Sequence, residues 1–149
     1  MRFPTLVRNG QERPIVAVTV SVPGKQPVLF DALVDTGADV SLFPLSVADR
    51  LGLDLSQQPD VTVFAAIGGQ CQYRLHEVEL ELRRAPDAFR WKGSVGFVGR
   101  EMSYAILGTR GFFQFFDLNY SSSRQAIDIT SAGELPTWPG RTNDERLDR

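Results

Sequence analysis

The chemistry available to this 149-residue chain is concentrated in one short stretch, Leu33-Val34-Asp35-Thr36-Gly37-Ala38-Asp39. Two apolar residues carry an extended segment into Asp-Thr-Gly, and a largely apolar run from Val40 to Pro44 follows at once. A carboxylate that ends a buried strand beside a glycine sits on a tight turn, where backbone N–H groups can reach it. Thr36 can hydrogen-bond and brace the turn, and Gly37 lets backbone approach backbone closely. Such a turn suits a carboxylate that is held rigidly and shares a proton with a second one.

The remaining reactive side chains offer little else. His76 is the only histidine, so neither a Ser-His-Asp arrangement nor a His-rich metal site can be assembled within one chain. Cys71 is the only cysteine, which excludes an internal disulfide, and no Cys/His cluster suggests a metal. The expectation is therefore no metal and no cofactor. Cys71 reads as a small hydrophobe, and Thr36 as a brace, since no Lys or N-terminal amine is positioned to activate it. A second copy of the carboxylate turn is missing. Asp54-Leu55-Ser56, Asp87-Ala88-Phe89, Asp117-Leu118-Asn119 and Asp128-Ile129-Thr130 all lack the glycine. If Asp35 shares a proton, its partner must come from a second copy of the chain, which makes a symmetric homodimer the expected assembly.

The elements that must position this turn are mostly strands. Val16, Val18, Val20 and Val22 alternate with Ala17, Thr19 and Ser21, a half-buried strand from Ile15 to Val22. Pro23-Gly24-Lys25-Gln26 supplies a turn, and a second strand, Val28 to Val34, leads into Asp35. Pro44 to Leu51 reads as a short helix with Pro44 at its first position and Val47, Ala48 and Leu51 on one face. Asp54 to Asp60 is a polar loop. Val61 to Ala66 and Gln70 to Leu82 are then two strands joined through Ile67-Gly68-Gly69. Along the second, Val78, Leu80 and Leu82 alternate with Glu77, Glu79, Glu81 and Arg83, and His76 interrupts the alternation as a bulge would. Trp91 to Val98 and Tyr104 to Leu107 continue the strand pattern. A helical turn over Thr109 to Phe116 is expected next, with its phenylalanines in the core. The pattern closes on a hairpin, Phe116 to Tyr120 and Gln125 to Thr130, turned by Ser121 to Arg124.

Composition fits one globular domain: 42% hydrophobic, 23% charged and a formal charge of -2. That charge argues against nucleic acid or an anionic membrane as the main partner. No apolar stretch approaches the roughly 18 residues of a membrane helix, and the first residues have no apolar core of signal-peptide length. A cytoplasmic setting is expected. The division is an N-terminal extension over 1–14, a folded domain over 15–130 and a polar, flexible tail over 131–149.

By itself Asp-Thr-Gly is also an ordinary turn. In context, Val34-Asp35-Thr36-Gly37-Ala38 resembles the active-site motif of the aspartic proteases, specifically the retropepsin-like branch. Leu33 before it and Ser41, Leu42 and Phe43 after it fit the same pattern. Ala66-Ile67-Gly68-Gly69-Gln70 matches the Gly-rich flap that closes over substrate in that family, and Ala105-Ile106-Leu107-Gly108 its hydrophobic-hydrophobic-Gly segment. The resemblance implies a mostly β, closed acid-protease barrel with one or two short helices, working as a homodimer on a peptide or protein substrate. It implies Asp35 as the catalytic residue and Thr36 and Gly37 as its loop. Substrate contacts are implied for Ala38, Asp39, Ile67, Gly68 and Gly69; Asp39 reads equally as a turn residue that caps the next segment or pairs with a base. Minimal members interlace short N- and C-terminal strands in the dimer, and this chain has extra residues outside both. Two other readings stay open: a peptide-binding or dimerisation module of the same fold with little catalysis, and a plain β-barrel scaffold.

Overall fold

A strand whose alternate side chains are valines buries one face, and a barrel forms when several such faces close on each other. The computed structural model of the protein describes residues 1–64 and 69–140. Twelve strands and one helix run in chain order: β1 (Arg2–Pro4), β2 (Leu6–Arg8), β3 (Gln11–Arg13), β4 (Ile15–Ser21), β5 (Val28–Val34), β6 (Leu42–Pro44), α1 (Leu45–Arg50), β7 (Val61–Phe64), β8 (Gln70–Arg84), β9 (Asp87–Val98), β10 (Ala105–Leu107), β11 (Phe116–Ser121) and β12 (Ala126–Ser131). The main sheet runs β4-β5-β10-β6-β9-β8-β7, and a further pairing of β4 with β8 closes six of these strands into a ring. The closed, mostly β barrel expected from the sequence is the observed fold, with α1 the one α-helix among the described residues.

Closure follows from where the apolar faces lie. Val18 and Val20 of β4 lie opposite Leu82 and Leu80 of β8, and all four are fully buried with Val78. Each such side chain contributes about 1.5–3 kcal/mol through removal from water. The β8–β9 hairpin supplies the longest ladder, from Tyr73↔Val98 to Arg84↔Asp87. At its centre Trp91 stacks edge-on against Phe116 and donates from its indole nitrogen to Gly111 O at 2.8 Å. Phe112, packed against both Trp91 and Phe116, completes an aromatic core as the sequence pattern indicated.

Several local expectations are corrected. His76 lies in regular register opposite Val95, so there is no bulge; the interruption of the pattern is chemical rather than geometric. Pro44 ends β6 at ψ 149 and caps α1 from outside, because its φ of -67 suits both an extended residue and a helix entry. Residues 109–115 form turns rather than a helix. Phe113 N and Gln114 N reach back five residues, to Gly108 O and Thr109 O. Gly111 at φ +92 breaks any helical path there. Gln125 belongs to the final turn, at φ +49, and not to β12. Glu79 is buried rather than solvated. Arg90 approaches it at 3.7 Å, and its register partner is Lys92.

Residues 1–4 and 131–140 both pack onto the barrel, while residues 141–149 of the expected tail lie outside the described residues. β1 pairs antiparallel with β12, Phe3 sits in the core, and the N-terminal amine donates to Ile129 O. At the other end Leu135 packs against the core and Pro136 O accepts from Lys92 N at 2.6 Å. Lys92 Nζ lies 4.8 Å above the Trp138 ring. Residues 135–138 thus rest against the core and against Lys92 of β9. Within one chain the first strand, β1, is paired with the last, β12.

Candidate active site

Asp35 follows directly on β5, and the strand's neighbours decide how rigidly it is held. β10 runs parallel to β5 with Ala105↔Ala32, Ile106↔Leu33 and Leu107↔Val34, and the ladder ends where Asp35 N donates to Leu107 O at 3.0 Å. On the other side Val34 N donates to Pro14 O at 2.9 Å. The Asp35 carboxylate is half-buried, and its Oδ1 accepts the Gly37 N–H at 2.9 Å. A Cβ on Gly37 would stand 3.3 Å from that same oxygen, so glycine leaves the carboxylate its place. The turn closes with Ala38 N on Asp35 O at 3.2 Å.

The loop is then locked from below. Thr109 N donates to Ala38 O at 2.8 Å, Arg110 N to Asp39 O at 2.9 Å, and Ser41 N to Arg110 O at 2.9 Å. Ser41 is fully buried, and its hydroxyl oxygen accepts the Gly108 N–H at 3.0 Å while its carbonyl accepts Gly96 N at 2.8 Å. Gly108 packs so tightly beneath the loop that a Cβ there would fall 2.6 Å from Ala38 O. Sequence inspection places Ser41 and Gly108 in the right motifs but does not show that they meet. Their pairing, 67 residues apart, is a tertiary contact.

Of the remaining expected site residues, Thr36 is exposed and its hydroxyl makes no hydrogen bond among the described residues, so the brace is not made within one chain. Asp39 is exposed; its carbonyl joins the lock, while its carboxylate forms no ion pair among the described residues. β7 and β8 pair antiparallel up to Phe64↔Gln70, and Gly69 has φ +112. Ile67 and Gly68 lie outside the described residues. Cys71, half-buried on β8, lines a cavity of about 700 Å³ with Leu45, Tyr73, Arg74 and Phe97, which does not include Asp35 or its loop.

A smaller cavity, of about 310 Å³, is closer to the carboxylate. Leu33, Ile106, Met102 and Tyr104 line it together with the polar residues Arg100, Glu101 and Ser103. Leu33 is two residues before Asp35, and Ile106 is its register partner, so this apolar pair is the part of the wall that flanks the carboxylate. Leu33 and Ile106 belong to two separate motifs of the sequence, and the β5–β10 pairing brings them together. The site as a whole offers one fixed carboxylate, an apolar flank and a hairpin, and among the described residues no group of His, Cys, Asp or Glu is arranged to hold a metal.

The sequence profile of a family described as aspartyl protease matches residues 18–109, from β4 through the carboxylate turn to the segment under it. The chain belongs to the aspartyl protease family. No curated protein sequence matches it. Among solved structures, a retropepsin-like aspartic protease from Rickettsia conorii is similar at TM-score 0.57 and 15% identity, covering 87% of this chain and 89% of its own. That likeness shows a retropepsin-like fold. The retroviral protease-like domain of Ddi1 from Leishmania major is similar at TM-score 0.48 and 17% identity, over 84% of this chain and 94% of its own. An inhibitor-bound EIAV protease is similar at TM-score 0.41 and 17% identity, over 70% and 88%. Among the described residues of this aspartyl protease homologue, no helix is long and apolar enough to cross a membrane.

Proposed function

We propose that the protein is an aspartic endopeptidase that acts as a symmetric homodimer, with one Asp35 from each protomer. The observation that carries this reading is the Asp35 carboxylate itself. It sits at the end of β5, oriented by the Gly37 N–H on a loop locked by Gly108, in a chain with one such turn. A single fixed carboxylate cannot be base and acid at once. Two that share one proton can. One carboxylate takes a proton from a water as its oxygen attacks the scissile carbonyl, and the other gives its proton to the carbonyl oxygen. Collapse of the tetrahedral species returns a proton to the leaving nitrogen, with no covalent enzyme intermediate.

The proposed catalytic domain is residues 15–130, which contains the whole family match. Gly37 to Asp39 and the β7–β8 hairpin with its glycines hold an extended peptide as an added strand. The cavity at Leu33 and Ile106 takes an apolar side chain beside the scissile bond. The cytoplasmic setting remains part of this proposal.

The decisive experiment is Asp35→Asn, which is nearly isosteric with the acid but cannot accept the proton. Cleavage of a peptide library should be abolished while circular dichroism and sedimentation match the parent. Equal cleavage by mutant and parent would sink the assignment. An intact dimer in which both proteins bind peptides and neither cleaves would instead identify a binding module of this fold.

A further inference from the structure

The cavity of about 700 Å³ beside Cys71 has no part in the reading above, since neither Asp35 nor its loop lines it. It opens where two strands part. β9 ends at Val98, opposite Tyr73, and the chain bends at Gly99 and Arg100. Residues 70–72 of β8 therefore keep a partner strand on the β7 side only, among the described residues. The space beside them is walled by this stretch of β8, by residues 99–100 and by Leu45 at the start of α1. Its volume lies within the roughly 300–1,000 Å³ of small-molecule sites.

The lining divides by burial. Leu55, Tyr73 and Phe97 are buried and supply an apolar floor, while Leu45 is 39% exposed. The charged groups are more open to water. Arg74 is held in place by Asp60 at 2.8 Å through Nε and by Leu55 O at 3.2 Å through Nη1, which leaves Nη2 without a partner among the described residues. Arg100 is exposed and has no hydrogen bond or ion pair among the described residues. Asp60 is the one carboxylate in the lining, and Arg74 already engages it. One guanidinium charge is thus left uncompensated beside an apolar space. An apolar body with a single acid group matches both halves of this lining: the body covers the floor, and the acid accepts from the free arginine nitrogens.

We propose that this cavity binds a small organic monoanion, an aromatic or aliphatic body carrying one carboxylate or sulfonate, with the acid held by Arg100 and Arg74. The proposal goes beyond the endopeptidase reading and does not rest on it, since the site needs neither Asp35 nor a second chain. Two dyes with the same aromatic body test it: anilinonaphthalene sulfonate, and phenylnaphthylamine, which lacks the sulfonate. Both report binding by fluorescence. The only cysteine of the chain lines the cavity, so the rate at which iodoacetamide alkylates Cys71 reports occupancy there.

Arg100→Gln removes the uncompensated charge from an exposed side chain. Leu45→Glu sets a carboxylate into the lining at the first turn of α1, where a helix favours an acid, so the fold is retained. Circular dichroism checks both variants. The sulfonate should bind the parent saturably, one per chain, and slow the alkylation of Cys71. Each variant should raise its dissociation constant by about fivefold, the upper range for an exposed charge pair. Arg100→Gln should leave the affinity for the neutral dye at its parental value. A parent that shows no saturable sulfonate binding overturns the site. So does binding that is unchanged in the folded variants, or that leaves Cys71 reacting at its free rate. If Arg100→Gln weakens both dyes alike, the cavity takes apolar ligands without regard to charge, and the anion is overturned.

Discussion

Gly108→Ala tests the idea that the Asp35 loop is held by close backbone packing. Gly108 is at no unusual φ, so space alone decides the outcome. A Cβ there meets Ala38 O at 2.6 Å, Val40 O at 2.8 Å and Val40 C at 2.9 Å. All three atoms are backbone, and none can swing aside as a side chain could. The shortest contact is about 0.8 Å inside the 3.4 Å at which ordinary contact begins, so β10 or the loop must shift by about that distance. Overpacking of this kind costs about 1–3 kcal/mol. For a chain of this size that lowers Tm by about 2–12 °C. Ala38 is three residues from Asp35, and a displacement near 1 Å in a catalytic array costs about a hundredfold in rate. Urea unfolding and peptide cleavage should therefore both fall, with cleavage falling further than the loss of folded protein explains. Gly133→Ala is the control, since nothing lies within 4 Å of its added carbon. If Gly108→Ala and Gly133→Ala unfold and cleave alike, the close packing is not what holds the loop.

Ser41→Ala removes the buried acceptor of the Gly108 N–H, leaving a donor without a partner; urea unfolding should show a loss of about 1–3 kcal/mol, and parental stability would mean the N–H finds another acceptor. The Arg2 guanidinium, through its hydrogen bond first and its charge second, holds the Asp128 carboxyl below its ordinary 3.8. A depressed carboxyl stabilises the fold above its unfolded pKa, and that contribution is lost as pH falls through the lower folded value. Arg2→Gln should therefore lower Tm at pH 7, with the deficit closing as the pH drops below 3.8. A deficit unchanged at pH 2 would show that β1 is held to β12 without this pair.

What the sequence determined by itself was local. Alternating valines set β4, the apolar run Val28–Val34 set β5 to its observed ends, and Asp-Thr-Gly set the turn, because each of these is a contest between neighbouring residues. The family resemblance placed the flap strands and the Leu107-Gly108 segment in order along the chain. Contacts across long separations were not legible. Nothing in the residue pattern shows that Ile106 lies against Leu33, that Ser41 holds Gly108 N, or that β4 closes on β8. The same limit explains the errors. Glu79 reads as solvated because β8 alternates, but Arg90 comes from another strand to cover it. His76 breaks the alternation and yet keeps its register, because the ladder to β9 is fixed by twelve pairs and not by one side chain. Residues 131–140 lack a hydrophobic pattern, yet Leu135 packs against the core and Trp138 faces Lys92, partners supplied by other parts of the chain. Local choice of backbone is a property of the sequence; which surfaces are left for one another to bury is settled only when the barrel closes.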